Sequence, residues 1–193
     1  MTRRIETAIL ISGRGSNMAA LIEAAKAEDF PAHVRVVVAD RPDAGGLSIA
    51  RAMGVEALAI DAKVAGSRAA FEAALDGELR RRGVELICLA GFMRILSADF
   101  VARWQGRALN IHPSLLPAYK GLDTHARALA DGAREHGCTV HWVTAELDAG
   151  AIVAQARVPV LPADTPETLA ARVLVEEHRL YPRALRDVAR ELL

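Results

Sequence analysis

The stretch RALNIHPSLLPAYKG, residues 107–121, sets an amide and an imidazole two positions apart, at Asn110 and His112, near the end of an apolar run. In a β-strand successive side chains point to opposite faces, so Leu109 and Ile111 share one face and Asn110 and His112 the other. Pro113 stops the strand, and the segment rich in Pro, Gly and Ser after it reads as a loop. Two convergent polar side chains there lie where open α/β sheets place their ligands, beyond the carboxyl ends of strands. An amide N–H and an imidazolium are suitable donors to an oxygen on which negative charge develops.

A second group lies near the amino terminus, where SGRGSN (12–17) follows an apolar run and leads directly into a helical pattern. Gly13 and Gly15 allow a tight turn and close backbone approach. Ser16 and Asn17 are expected to cap the helix and donate to an oxyanion at its positive end. The full dinucleotide fingerprint needs a third glycine where Met18 stands, and no P-loop Lys-Ser/Thr follows, which disfavours NAD and ATP. Cys88 and Cys138 have no metal-like company and read as small buried thiols. His125, His136, His141 and His178 read as structural histidines.

These groups need a scaffold. Four β-rich runs, at 6–12, 34–40, 55–60 and 84–91, alternate with helical segments, NMAALIEAAKA, GLSIARAMG and SRAAFEAALDGELRRRG, which predicts parallel strands with crossover helices. Gly54 and Gly83 sit where helices end. SADFVARW is a fourth crossover helix leading into the strand of Asn110 and His112. After residue 120, THARALADG is a short helix, and TVHWVT and AIVAQARVPV flank the AELDAG turn as hairpin strands do. A long helix starts after Asp164 with Thr165 as cap and Pro166 at its first position, and Pro182 is expected to kink or restart it. The fold class is α/β, a Rossmann-like, mostly parallel twisted sheet extended by antiparallel strands. One domain over 1–193 is expected, with a parallel phosphate-binding half to about 105 and a catalytic half from about 106.

Composition narrows the partners. Of the 193 residues 52% are hydrophobic and 25% charged, as in a globular domain. The 24 Lys and Arg balance 24 Asp and Glu, so no overall basic field recommends nucleic acid or an anionic membrane, and any anion must be held locally. Apolar runs are strand-sized, with neither a membrane span nor a signal-peptide pattern, so a cytoplasmic location is expected.

Taken together, LISGRGSN (10–17), LAGFMRIL (89–96), LNIHPSLLPAYKG (109–121), HGCTVHWVTAELDAG (136–150) and EEHRLYP (176–182) resemble the phosphoribosylglycinamide formyltransferases, in order and at matching spacing over essentially the whole chain. The resemblance implies a formyltransferase fold and transfer of a formyl group from 10-formyltetrahydrofolate to the amine of glycinamide ribonucleotide in purine synthesis. It matches Asn110, His112 and Asp148 to the catalytic trio, Gly15, Ser16 and Asn17 to the substrate phosphate site, and Glu177 to the group that holds the ribose. Arg68, Met93, Arg94, Ile95, Leu96, Asn110, Thr144, Ala145, Glu146, Leu147 and Asp148 match the folate site. Folate is then a co-substrate, no metal is implied, the partners are small molecules, and the assembly is a monomer or homodimer. The resemblance also suggests a cis bond before Pro117.

Such a transfer passes through a tetrahedral intermediate bearing an oxyanion, which Asn110 and His112 are expected to bracket, and it needs no serine or cysteine nucleophile. Burial under a folate ring would raise the Asp148 pKa, whereas a charged His112 would lower it; desolvation prevails if His112 is the more distant partner. Asp123 is a departure from relatives with His or Asn there, and its role stays open. Methionyl-tRNA formyltransferase would bring a carboxyl-terminal nucleic-acid-binding domain, and formyltetrahydrofolate deformylase an amino-terminal regulatory domain; 193 residues leave room for neither. A non-catalytic nucleotide-binding module would have no use for Asn110, His112 and Asp148 together.

Overall fold

Five apolar runs pair in parallel and two further segments extend them in antiparallel. In the computed structural model, which describes residues 3–193, β1 (Ile5–Ile11), β2 (Ala32–Ala39), β3 (Ala57–Ala59), β4 (Leu86–Leu89), β5 (Ala108–His112), β6 (Glu135–Trp142) and β7 (Ile152–Pro159) form one sheet. Its order is β3-β2-β1-β4-β5-β6-β7, with only the β5/β6 and β6/β7 pairs antiparallel. Strand order reverses between β1 and β4, and the crevice beyond such a reversal is where open α/β sheets hold ligands. The loops after β1 and β4 and the end of β5 meet there.

The helices are α1 (Ser16–Ala25), α2 (Gly46–Ala52), α3 (Ala62–Ala65), α4 (Arg68–Arg81), α5 (Ala98–Arg103), α6 (Thr124–Ala130) and α7 (Pro166–Leu192). Both sheet faces are covered, which is why the parallel strands are apolar throughout rather than alternating. Ile5, Ile9 and Ile11 of β1 pack with Met18 and Leu21 of α1, Leu47 of α2, and Leu169, Val173 and Leu185 of α7. Ala8 and Leu10, pointing the other way, pack with Phe71, Leu75 and Leu79 of α4 and Phe100 of α5. Each such large side chain contributes roughly 1.5–3 kcal/mol by leaving water.

Gly54 and Gly83 end α2 and α4 as expected, at φ 83° and 67°. In each case the next residue's N–H closes a six-residue loop, Val55 to the Ala50 carbonyl and Val84 to that of Leu79. The α7 cap is reciprocal: the Thr165 hydroxyl accepts from the Thr168 N–H, and Thr168 Oγ1 accepts from the Thr165 N–H at 2.9 Å. Arg172 donates to both oxygens of Asp164, at 2.6 and 2.8 Å, and locks the same end.

Three sequence expectations change. The helix does not restart at Pro182 but runs through it as one element of 27 residues. The first hairpin strand begins at Glu135 rather than Thr139, because Gly137 lets the β7 backbone close in: a Cβ there would lie 1.9 Å from the Ala156 carbonyl oxygen. Finally, α3 is a single turn that the pattern did not announce; Asp61 nucleates it by accepting from the Lys63 N–H at 2.8 Å. Among the described residues, no helix is long and apolar enough to cross a membrane.

Candidate active site

Strand β5 projects Asn110 and His112 from one face, as the alternation requires, and the β6/β7 turn brings Asp148 against them. His112 Nδ1 lies 3.4 Å from Asp148 Oδ2, and both side chains are buried. His112 Nε2 donates to the Tyr119 carbonyl at 2.9 Å, and the Gly121 N–H donates to Asp148 Oδ2 at 2.9 Å. One loop therefore anchors both members of the pair through its backbone. The chain takes left-handed conformations to do so, at Tyr119 (φ 56°), Gly121 (φ 80°) and Asp148 itself (φ 49°). Non-glycine residues are uncommon in that region, and such strain gathers at functional sites. The Leu116–Pro117 bond in this loop is cis, in line with the resemblance.

With Nε2 committed as a donor, Nδ1 can hydrogen-bond the carboxylate only when it too carries a proton, so the pair favours an imidazolium beside an ionised Asp148. Burial raises the Asp148 pKa, but contact with His141, the Gly121 N–H and the charge of His112 outweigh it, and the net displacement is downward. His112 is in direct contact rather than distant, so the condition under which desolvation was expected to prevail is not met, and a second imidazole and a backbone donor add to its effect. Asp123 is not among the partners of the carboxylate; it sits at φ 55° before α6 and faces the cavity.

That cavity, about 450 Å³, is lined by the loop after β4, the end of β5, residues 121–125, Leu147 and Asp148. A smaller cleft adjoins it, bounded by Arg94, Ile95, Leu96, Asn110, His141 and residues 144–148. Met93, Arg94, Ile95, Leu96, Thr144, Ala145, Glu146 and Leu147, expected at one site, are thus brought together. Met93, Ile95, Leu122 and Leu147 expose apolar side chains around it. Arg94 lies over the Phe71 ring, 5.1 Å from its centroid, and Lys120 bridges to Glu146 at 3.0 Å across the mouth. Arg68 is not brought in: it lines a separate hollow with Glu72, Ser97, Asp99 and Arg103.

Next to the strand reversal, Gly15 at φ 75° is the cap of α1, and no side chain caps the helix. Ser16 and Asn17 therefore do not cap it, contrary to expectation; Ser16 is already the first helical residue, and the uncapped first-turn N–H groups suit an anion. The loop is held tightly. Gly46 N donates to the Gly13 carbonyl at 3.0 Å, and a Cβ on Gly46 would strike Ile11 at 2.5 Å. Ser12 ties this loop to the one after β4: its N–H donates to the Gly91 carbonyl and its Oγ accepts from the Met93 N–H at 2.9 Å. Asn17 Nδ2 donates to Glu177 Oε2 at 2.6 Å, which joins two residues the sequence separates by 160 positions. Burial raises the Glu177 pKa, and that hydrogen bond opposes the rise.

His141, read from sequence as structural, belongs to the site. It faces Asn110 in register across β5/β6, with Nε2 3.1 Å from Asn110 Nδ2 and 3.6 Å from Asp148 Oδ1. The available signal was its alternation with the core residue Val140, which turns it to the same side as Asn110 once the strands pair. His125 and His136 stack edge to face behind His112, with centroids 5.1 Å apart, and His178 lies away on α7. Burial lowers the His136 pKa to about 4, assisted by His125. The unfolded chain then binds a proton near pH 6.5 that the folded chain refuses until about pH 4, so this residue makes stability fall as pH drops across that window. Denaturant unfolding at several pH values should show a shallower acid loss for His136→Phe than for the wild type; identical slopes would contradict this.

Residues 5–185 match the model of the formyl transferase family. The phosphoribosylglycinamide formyltransferase of Escherichia coli K12 is 47% identical over 90% of this chain and 82% of its own length. The crystal structure of the phosphoribosylglycinamide formyltransferase from Brucella melitensis superposes with a TM-score of 0.93 at 53% identity, covering 97% of this chain and 96% of that one. The trifunctional purine biosynthetic protein adenosine-3 of Gallus gallus is 50% identical over 97% of this chain, which spans only 19% of that larger protein. The matched residues contain the whole sheet and both loops at its reversal, and on these grounds the chain belongs to the phosphoribosylglycinamide formyltransferases, within the formyl transferase family.

Proposed function

We propose that the protein transfers the formyl group of 10-formyltetrahydrofolate to the amine of glycinamide ribonucleotide, by direct attack through a tetrahedral intermediate. The observation that carries this reading is the convergence of Asn110, His112 and Asp148 on one cavity, with an apolar-rimmed cleft adjoining it and the loop before the uncapped start of α1 tied by Ser12 to Gly91 and Met93 of its lining. The cleft suits a folate ring, and Gly15, Ser16 and Asn17 suit the nucleotide phosphate, with Glu177 as acceptor for ribose hydroxyls.

In this scheme the substrate nitrogen attacks the formyl carbon, a C–N bond forms, and the carbonyl electrons move onto oxygen. Asn110 donates to that oxyanion through its amide. His112 donates through Nδ1–H, whose 3.4 Å contact to Asp148 is long enough to be shared with an incoming oxygen. Asp148 takes the ammonium proton, directly or through water. The carbonyl re-forms as the bond to the folate nitrogen breaks, and the proton passes to that nitrogen. The low pKa of Asp148 serves this exchange, because a weak base gives the proton up readily.

The test is to mix protein, 10-formyltetrahydrofolate and glycinamide ribonucleotide while following folate absorbance and nucleotide mass. Formyl-folate is expected to disappear only when the nucleotide is present, and the nucleotide should gain the mass of a formyl group less the hydrogen it replaces. Equal loss without nucleotide would contradict the assignment. Asn17→Ala is expected to raise the KM for the nucleotide about tenfold through loss of one buried hydrogen bond, and to leave the KM for folate within about twofold. Equal effects on both would place the phosphate elsewhere.

A further inference from the structure

We propose that His141 is a positioning residue of this reaction, which accepts a hydrogen bond from the Asn110 side chain and so fixes that amide as a donor toward the reacting oxygen. The proposal rests on the formyl-transfer reading and deepens it.

The geometry is a chain of commitments. His141 Nδ1 lies 3.0 Å from the Trp142 carbonyl oxygen, which can only accept, so Nδ1 carries the proton. In the neutral ring Nε2 is then an acceptor, and the atom it meets at 3.1 Å must be a donor: the Asn110 Nδ2 amide rather than its oxygen. One N–H of Asn110 is spent on His141, and the other remains for the cavity that Asn110 lines. A reversed amide would set two lone pairs against each other.

The surroundings hold this arrangement. His141 is 2% exposed, so water cannot replace the ring nitrogen as acceptor. The in-register pairing of Asn110 with His141 across two antiparallel strands sets their separation. Gly150, two residues beyond Asp148, keeps the Trp142 carbonyl in place, since a Cβ there would lie 1.7 Å from that oxygen. The ring also lies 3.6 Å from Asp148 Oδ1, beyond hydrogen-bonding distance, so the Asn110 amide and not the carboxylate is the partner of Nε2.

The test is a double-mutant cycle combining His141→Phe with Asn110→Ala, joined to nitrogen NMR of the wild-type imidazoles. His141→Phe alone should lower kcat by about 10- to 100-fold, with both KM values within about twofold. In the Asn110→Ala background the same change should cost less than about threefold, because a residue acting through Asn110 has nothing left to position. Losses that multiply, or an unchanged kcat in the single variant, would overturn the proposal. If His141→Phe does not fold, the wild-type spectrum decides: a protonated Nδ1 and bare Nε2 at neutral pH are expected, and a protonated Nε2 would overturn it. Absence of transfer by the wild type would contradict the proposed reaction itself, whereas full transfer with multiplying losses would contradict only the role of His141.

Discussion

Asp148→Asn is expected to lower turnover by roughly 10² to 10⁴ and to leave nucleotide binding nearly intact. The amide keeps the shape of the side chain and removes its charge and basicity. It also leaves His112 Nδ1 beside a neutral group, so the imidazolium that donates to the oxyanion loses its counter-charge. The loop at residues 12–17, proposed to hold the nucleotide phosphate, shares no hydrogen bond or ion pair with Asp148 and should bind as before. The pH dependence follows from the sign of the shift. The folded Asp148 pKa lies below its usual value, so the carboxylate stays ionised as pH falls through the ordinary carboxylate range. The stability this group contributes is present above the unfolded value and is lost only as pH falls through the lower folded one. The wild type should therefore keep its turnover as pH falls through the ordinary carboxylate range, and Asp148→Asn should run at a much lower ceiling. A variant with near-normal turnover would send the proton elsewhere, with Asp123 the next carboxylate to test.

His112→Ala and Asn110→Ala are each expected to lower turnover by roughly 10² to 10³, the loss typical of one donor to a developing oxyanion. Binding of either substrate should change less, because these hydrogen bonds strengthen only as charge forms on the oxygen. The two variants should differ in one respect. His112→Ala also strips Asp148 of a charged neighbour and leaves the Tyr119 carbonyl without its donor, so it should raise the Asp148 pKa and loosen the loop. Asn110→Ala should do neither. Wild-type turnover in a correctly folded His112→Ala protein, measured beside circular dichroism, would return this histidine to a purely structural role.

The parts of this site that lie along one strand were legible before the fold was known. Asn110 and His112 share a face because a strand alternates, and the glycines of residues 12–17 announce a turn into a helix by backbone chemistry alone. What escaped depends on partners distant in sequence. His141 looked structural because its neighbours Val140 and Trp142 belong to the core; only the β5/β6 register sets it opposite Asn110. The Asn17–Glu177 hydrogen bond joins opposite ends of the chain, and no local pattern encodes it. The same limit explains Asp148: its pKa direction turns on the Gly121 N–H and His141 as much as on His112, and both arrive through tertiary packing. Arg68 shows the converse, a residue matched by resemblance whose side chain lies outside both cavities. The strands were readable because burial on both faces of a parallel sheet leaves continuous apolar runs, whereas the α1 cap fell one residue from expectation because left-handed Gly15 takes the place of a side-chain cap.

In the proposed reaction the formyl group passes directly between two bound substrates and never rests on the protein. The most direct measurement is a single turnover with 10-formyltetrahydrofolate labelled at the formyl carbon, quenched over time and analysed for label on protein, nucleotide and free formate. Label is expected to leave the folate and enter the nucleotide with one rate constant, with none on the protein and none released as formate. Label on Cys88, Cys138 or any serine, or formate appearing as fast as the formylated nucleotide, would contradict it.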